Sequence, residues 1–269
     1  GLIDETVKEG AKVVAFPELC VTGYTCGDLF TQEVLLKEAR AALHKIARHT
    51  KGKDALIFVG VPVAVEGKLY NVAAALNQGK ILGLTTKSFL PNYGEFYEMR
   101  QFTEGPSAAR EILFDGEKMP FGPQLLFVAD SMESLVVSAE ICEDACSSVP
   151  PSIEAAREGA VIIANCSASD ETVGKSTYRR NLIEGQSARL ICGYLYANAG
   201  EGESTTDLVF GGHNLIAENG SVLKEGRRFE NGVIYTEIDI KRLLGERRKN
   251  TTFQTAKEPK LIRIPFTIC

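Results

Sequence analysis

ALIFVGVPVAVEGKLYNVAAALNQGKILGLTTK, residues 55–87, sets the architecture. Ala55–Val65 is a β-forming run closed by the turn residues Glu66-Gly67-Lys68. Leu69–Leu76 follows, then Asn77-Gln78-Gly79, then Lys80–Thr86. Turn residues at that spacing predict three strands of an antiparallel meander, with Lys87 delivered at the end of the third.

Upstream, Lys12–Phe16 (KVVAF) reads as a short buried strand stopped by Pro17. Thr31 is placed to cap a helix running to about His49, with Leu35, Ala39, Ala42, Leu43 and Ile46 on one face. Downstream, Leu90–Pro106 is irregular. Leu125–Ala129 and Leu135–Ile141 read as strands, Pro151–Glu158 as a helix with prolines in its first turn, Val161–Asn165 as a strand and Thr177–Leu190 as a helix. Further strands are expected at Gly193–Asn198, Leu208–Ala217, Ser221–Glu225 and Val233–Asp239, and the basic run Lys241–Lys249 reads as a solvated or interdomain face. Helices alternating with strands in places, with hairpins between, predict an α/β layered domain rather than a purely doubly wound sheet.

The chain has 269 residues, 44% hydrophobic and 24% charged, with a net charge of −5. That is the balance of a globular protein with a sizeable core, and it supplies no basic patch for nucleic acid. No apolar run reaches the length of a membrane span. The seven cysteines are an odd number in a chain too long to need disulfide staples, which fits reduced thiols in a cytoplasm. The opening GLIDETVKEG reads as the second half of an amphipathic helix, so a first strand is expected upstream of Gly1.

Three polar residues end expected strands: Glu18 after KVVAF, Lys87 after ILGLTT and Cys142 after SLVVSAEI. Loops at the carboxyl ends of strands open crevices over a rigid sheet, where reactive groups collect. Taken singly, a strand-end cysteine is more often a small buried hydrophobe and a strand-end Lys or Glu a solvated charge. Histidine, the usual base beside a nucleophile, offers little. His44 and His49 lie on a surface helix, and only His213 could complete a Cys–His pair. Cys142 and Cys146 lack the second ligand pair a zinc site needs. Gly174-Lys175-Ser176 resembles the end of a phosphate-binding loop, but Ser169 stands where that pattern requires glycine, and Asp170 and Glu171 would repel phosphate.

Read together, these residues resemble the nitrilase superfamily. Phe16-Pro17-Glu18-Leu19 with Thr22-Gly23-Tyr24 is similar to its glutamate motif, Lys87-Ser88-Phe89-Leu90-Pro91-Asn92-Tyr93 to its lysine motif, and Glu140-Ile141-Cys142-Glu143-Asp144 to its cysteine motif. Asp28-Leu29-Phe30, LPNYGEFYE from Leu90 to Glu98 and EICEDA from Glu140 to Ala145 are more narrowly similar to the N-terminal glutaminase domain of glutamine-dependent NAD synthetases. The resemblance runs from Gly1 to about Asp239.

That resemblance implies a four-layer αββα sandwich and a catalytic triad of Glu18, Lys87 and Cys142, with the Cys142 thiol activated by a lowered pKa. It implies Glu95 as a second glutamate that orients the substrate amide. Tyr24, Tyr93, Glu143, Ser169 and Lys175 would line a glutamine pocket, Glu143 suiting the α-ammonium and Lys175 or Ser169 the α-carboxylate. Residues 1–240 would form the amidase domain, and residues 241–269 a tail leading to a synthetase domain of the same polypeptide. No cofactor or metal is implied for this domain; ATP and magnesium belong to the synthetase domain, which would use the released ammonia to amidate deamido-NAD. A homo-oligomer paired through the helical layer is also expected. The alternative is a free-standing nitrilase-family amidase or carbamoylase acting on another small amide.

Overall fold

The computed structural model describes residues 1–269. Its elements, in chain order, are α1 (Leu2–Lys8), β1 (Val13–Ala15), α2 (Glu33–His49), β2 (Leu56–Val65), β3 (Lys68–Asn77), β4 (Lys80–Thr86), β5 (Arg110–Phe114), β6 (Glu117–Gly122), β7 (Leu126–Ala129), β8 (Val136–Ile141), α3 (Pro151–Arg157), β9 (Ile162–Ser167), α4 (Lys175–Leu190), β10 (Gly193–Asn198), β11 (Leu215–Glu218), β12 (Ser221–Glu225), α5 (Ile240–Lys249) and β13 (Arg263–Phe266). They build two mixed sheets, one of six strands in the order β1-β2-β3-β4-β6-β5 and one of seven in the order β12-β11-β10-β9-β8-β7-β13.

Three cores separate four layers. Between the sheets, Leu56, Phe58, Ala73 and Ala75 meet Phe127, Val137, Ala139, Ile162 and Ala164. On the outer face of the first sheet, Ala39, Leu43 and Ala47 of α2 pack on Ile57, Val59, Val61 and Val72. On the outer face of the second, Ala155 and Ala156 of α3 and Ile183 and Leu190 of α4 cover Ile163, Tyr194 and Leu215. Strands buried on both faces read as continuous apolar runs, which is why β2 and β3 were legible as strands. The fold is the expected αββα sandwich, and β2-β3-β4 is the expected meander.

Several expectations fail for identifiable reasons. The hairpin β5–β6 was not anticipated, although Asp115-Gly116 supplies its turn with both residues at positive φ. The expected strand Leu208–Ala217 is reduced to β11 and a single bridge at Phe210, because Gly211-Gly212, with Gly212 at φ +62°, breaks the extended run. Val233–Asp239 joins no ladder; Ile238 packs on the inter-sheet core instead. Thr31 ends a short 3-10 turn, and Gln32 takes the N-cap position of α2.

Residues 241–269, expected as a tail leading to a further domain, pack on the sandwich. Leu243 of α5 is fully buried in the inter-sheet core, and β13 adds a parallel edge strand beside β7. Arg247 draws α5 onto the sandwich. Its guanidinium donates to the carbonyls of Ile191 (3.1 Å), Ala160 (2.7 Å) and Leu190 (2.9 Å) and lies 4.7 Å from the Phe253 ring. Leu190 and Ile191 carry the carbonyl-rich, negative end of the α4 dipole, so a cation there is favourable.

Candidate active site

The three motif residues converge from both sheets. Glu18 follows β1 in a loop that passes unusually close to β2: a Cβ added at Gly60 would lie 2.1 Å from the Leu19 nitrogen. Only glycine allows that approach. Leu19 itself is held at φ +50°. The Glu18 carboxylate is fully engaged. Oε1 accepts from Asn71 Nδ2 (2.6 Å) and Lys87 Nζ (2.6 Å), and Oε2 from the Ala168 backbone N–H (2.9 Å).

Lys87 directly follows β4 and has no exposed surface. Its ammonium lies between two carboxylates, Glu18 Oε1 at 2.6 Å and Glu98 Oε1 at 2.6 Å. Burial opposes its charge, but the two carboxylates prevail and hold its pKa well above the ordinary lysine value. Glu98 also accepts from the Tyr24 hydroxyl at 2.7 Å, while its Oε2 is buried without a hydrogen-bond partner. Burial pushes Glu98 up to about 7, against the pull of Lys87.

Cys142 terminates β8 at φ +44°, a left-handed conformation that costs a non-glycine residue roughly 1–3 kcal/mol. Its backbone N–H donates to Asn165 Oδ1 at 3.0 Å. Asp144 secures the turn. Oδ2 accepts from Ile141 N (2.9 Å), and Oδ1 accepts from Ser88 N and Phe89 N (2.9 Å each), fastening the loop after Lys87 to the loop after Cys142. Burial pushes the Cys142 thiol well above its usual value, and the Glu18 charge adds to this while Lys87 and a Ser167 hydrogen bond oppose it. The direction is opposite to the lowered pKa expected from sequence.

The remaining expected residues are bonded chiefly to loop neighbours. Tyr93, 62% exposed, donates to Glu143. Lys175 pairs with Asp170 and lies 5.3 Å from the Phe96 ring. The Ser169 hydroxyl accepts from Arg179 Nη2 at 3.1 Å. Arg179 is nearly fully buried and also donates to the Asp170 carbonyl (2.8 Å) and Glu171 (2.8 Å), so it frames the whole 169–171 loop. Glu95 is half-buried and bonds to none of these groups. The second carboxylate on Lys87 is Glu98, because the 3-10 turn Glu98–Arg100 brings that residue inward.

His213 is remote from this chemistry. Its Nδ1 accepts from Arg179 Nη1 (2.9 Å) and its Nε2 donates to Glu225 (2.8 Å). It lines a separate cleft of about 410 Å³ with Arg180 and Arg228, to which none of the three motif residues contributes. A Cys–His pair is therefore not formed.

The carbon-nitrogen hydrolase family matches residues 1–247. The chain belongs to that family. As a carbon-nitrogen hydrolase it is similar to the glutamine-dependent NAD(+) synthetase of Mycobacterium tuberculosis, 40% identical over 247 residues that cover 91% of this chain and 36% of that protein. The Aquifex aeolicus enzyme of the same name is 31% identical over 264 residues, 95% of this chain and 42% of that one. The solved structure of a glutamine-dependent NAD(+) synthetase from Cytophaga hutchinsonii superposes with a TM-score of 0.74 at 31% identity, covering 84% of this chain and 36% of that chain. Saccharomyces cerevisiae Nit3, 17% identical with a TM-score of 0.69, shares the fold. The hydrolase chain thus spans little more than a third of the length of the synthetases it matches.

Sequence reasoning missed Glu98, Asn71, Asn165 and Arg179. Glu98 lies within the LPNYGEFYE segment quoted for the resemblance, three residues past Glu95. The signal for the other three is weak: each is a polar residue inside a regular element, and such residues must find buried partners when the element is buried on both sides.

Proposed function

We propose that this carbon-nitrogen hydrolase releases ammonia from glutamine, with Cys142 as nucleophile, Glu18 as base and Lys87 as electrostatic partner. The observation that carries this reading is the buried Lys87 ammonium, held at 2.6 Å by both Glu18 and Glu98 beside the Cys142 turn. A lysine with no exposed surface and two carboxylate neighbours is costly to desolvate, and such arrangements collect at functional sites.

Because burial keeps the thiol protonated, attack begins from neutral Cys142 rather than from a standing thiolate. Glu18 takes the thiol proton as the sulfur adds to the amide carbon. Negative charge then builds on the amide oxygen. Lys87 and the Glu143 backbone N–H are its donors, since the Cys142 N–H is committed to Asn165. One such donor is worth about 3 kcal/mol in the transition state. Glu18 returns the proton to the departing nitrogen, ammonia leaves, and water hydrolyses the thioester with Glu18 again as base. When Glu98 is ionised, its unpartnered Oε2 is suited to accept an N–H of the substrate amide, the role the resemblance assigned to Glu95.

Among the loop residues, Glu143 suits an α-ammonium, and Lys175 with Ser169 an α-carboxylate. The similar synthetases are glutamine-dependent by name, which supports glutamine over other amides. By the same resemblance the ammonia would serve a synthetase domain of the same polypeptide, which amidates deamido-NAD with ATP and magnesium in a cytoplasmic homo-oligomer. The test is an ammonia-release assay on glutamine, asparagine and simple aliphatic amides. Preference for an aliphatic amide would replace the glutaminase reading with the free-standing amidase; no release from any would remove the enzyme reading of this site.

A further inference from the structure

The Cys142 backbone N–H is the end of a hydrogen-bond chain that starts on the far side of β8. The Ser152 N–H at the start of α3 donates to Glu140 Oε2 at 2.9 Å. Glu140 Oε1 accepts the Tyr194 hydroxyl proton. The Tyr194 oxygen accepts from Asn165 Nδ2 at 3.1 Å, and Asn165 Oδ1 accepts the Cys142 N–H at 3.0 Å. Glu140, Tyr194 and Asn165 are all essentially without exposed surface.

Every polarity in this chain is forced. A backbone N–H can only donate, so the Asn165 oxygen must face Cys142 and its NH₂ must face Tyr194. The tyrosine proton is then left for Glu140, whose other oxygen already receives Ser152. Glu140 therefore accepts at both oxygens, hydrogen bonds that favour its carboxylate against the burial that pushes its pKa up. Such buried networks are rigid when complete and costly when one member is lost. This one terminates on the one backbone group that must be held while Cys142 occupies its left-handed conformation.

We propose that Asn165, oriented by Tyr194 and Glu140, is a positioning residue that holds the Cys142 turn so that its thiol faces the substrate. The proposal rests on the reading of Cys142 as nucleophile. It makes the Glu140-to-Asn165 chain part of the reaction geometry rather than core packing alone.

The experiment compares Asn165→Ala, Asn165→Asp and Tyr194→Phe with the parent chain. It reads kcat and KM for glutamine, the rate of Cys142 alkylation by iodoacetamide with peptide mapping, and thermal melting. Asn165→Ala is expected to lose about 100-fold in kcat, as misplaced reacting groups do, with KM nearly unchanged. Tyr194→Phe, which removes one oxygen, shows a smaller loss in the same direction.

Asn165→Asp gives the sharper readout. An ionised carboxylate there would face Glu140 and Cys142 from β8 and Tyr194 and Tyr196 from β10, with no proton for Tyr194. Its protonated form restores both of asparagine's roles. The ratio of Asn165→Asp to parent activity therefore rises as pH falls, whereas the Asn165→Ala ratio stays flat. Folded Asn165→Ala and Tyr194→Phe with parental kcat and alkylation rate would overturn the proposal, as would matching pH profiles for the Ala and Asp variants. If Asn165→Ala fails to fold, Tyr194→Phe and Asn165→Asp decide alone. Failure of the underlying reading is recognised separately: Cys142→Ala would then keep its ammonia release.

Discussion

The buried Glu18–Lys87 cluster, here called the floor, and the loops around it, here called the mouth, are built on different principles. On the floor, Glu18 and Lys87 are 1% and 0% exposed, and the groups that hold them are strand ends, backbone amides and other buried side chains. At the mouth, Tyr93 is 62% exposed, and Tyr93–Glu143 and Lys175–Asp170 are bonded mainly to one another across loops. Groups that exchange protons need fixed distances, which packed strands supply; groups that choose among amides can reside on exposed loops. The floor should therefore respond to substitution through kcat and stability, and the mouth through KM.

The largest effects belong to the floor. An electrophilic glutamine analogue should add once, at Cys142, although seven cysteines are present. Cys142→Ala should lose turnover by a factor of about 10⁴ or more, the scale seen when a nucleophile is removed. Intact mass and peptide mapping check the first expectation, and label on Cys146 or Cys166 would refute the assignment. Glu18→Gln and Lys87→Met should each be inactive and also less stable. Breaking one side of a buried ion pair costs roughly 3–5 kcal/mol when the remaining charge is stranded. Denaturant titration separates the two losses, and a folded variant with parental activity would break the comparison outright.

Next in size is a substitution that touches no reacting group. Gly60→Ala would place a methyl 2.1 Å from the Leu19 nitrogen and 2.6 Å from the Pro17 carbonyl oxygen. Neither atom is a side chain that can swing away, so the Glu18 loop must move. Overpacking of this kind costs typically 1–3 kcal/mol, and the displaced carboxylate should lower kcat as well. A Gly60→Ala chain with unaltered kcat would show that the floor tolerates displacement and is less rigid than its packing implies.

A smaller effect is read in the pH dependence of stability. Burial holds Glu98 protonated up to about 7, whereas an ordinary glutamate releases its proton near 4.5. Between those values the folded chain binds more protons than the unfolded one, so this group's contribution to stability falls as pH rises from 4.5 to 7. Urea midpoints of the parent should carry that downward component, and Glu98→Gln should remove it. An unchanged pH slope in the variant would mean that Glu98 is ionised throughout the range and that the floor holds two full carboxylates on one lysine.

How much of this was legible in the sequence follows the same division. Glu18, Lys87 and Cys142 each follow a recognisable apolar strand, which made them candidates, but only the three motifs read together, as a family resemblance, singled them out. The meander was legible from its turn residues and apolar strands, whereas the αββα layering came only from the family resemblance. Glu95 was named by resemblance alone and Glu98 went unnoticed, because the irregular segment has no period from which an inward face can be deduced; a 3-10 turn carries Glu98 to Lys87. Arg179 and Arg247 lie in helices whose polar composition suggests solvent, yet both are drawn inward by backbone carbonyls that only the tertiary structure brings near. The packing of the tail was not legible because Leu243, Ile264 and Phe266 are too few to announce a helix and a strand by themselves; β13 is a strand because β7 offers it an edge.

The smallest effect belongs to the mouth, at Lys175. Its ammonium is paired with Asp170 and lies against the Phe96 ring, so in the free chain its charge is already compensated. A substrate carboxylate must share that lysine with Asp170, which limits what the contact contributes to binding. Loss of one such part-buried charge contact is worth about 1–2 kcal/mol, so Lys175→Ala should raise the glutamine KM by about tenfold and leave kcat within a factor of about two. Alkylation of Cys142 by iodoacetamide, which carries no α-carboxylate, should proceed at the parental rate in this variant. If instead kcat and the alkylation rate fell with it, the Lys175–Asp170 pair would belong to the floor, acting through Asp170 and Ser169 on Glu18, whose Oε2 is held by the neighbouring Ala168 N–H.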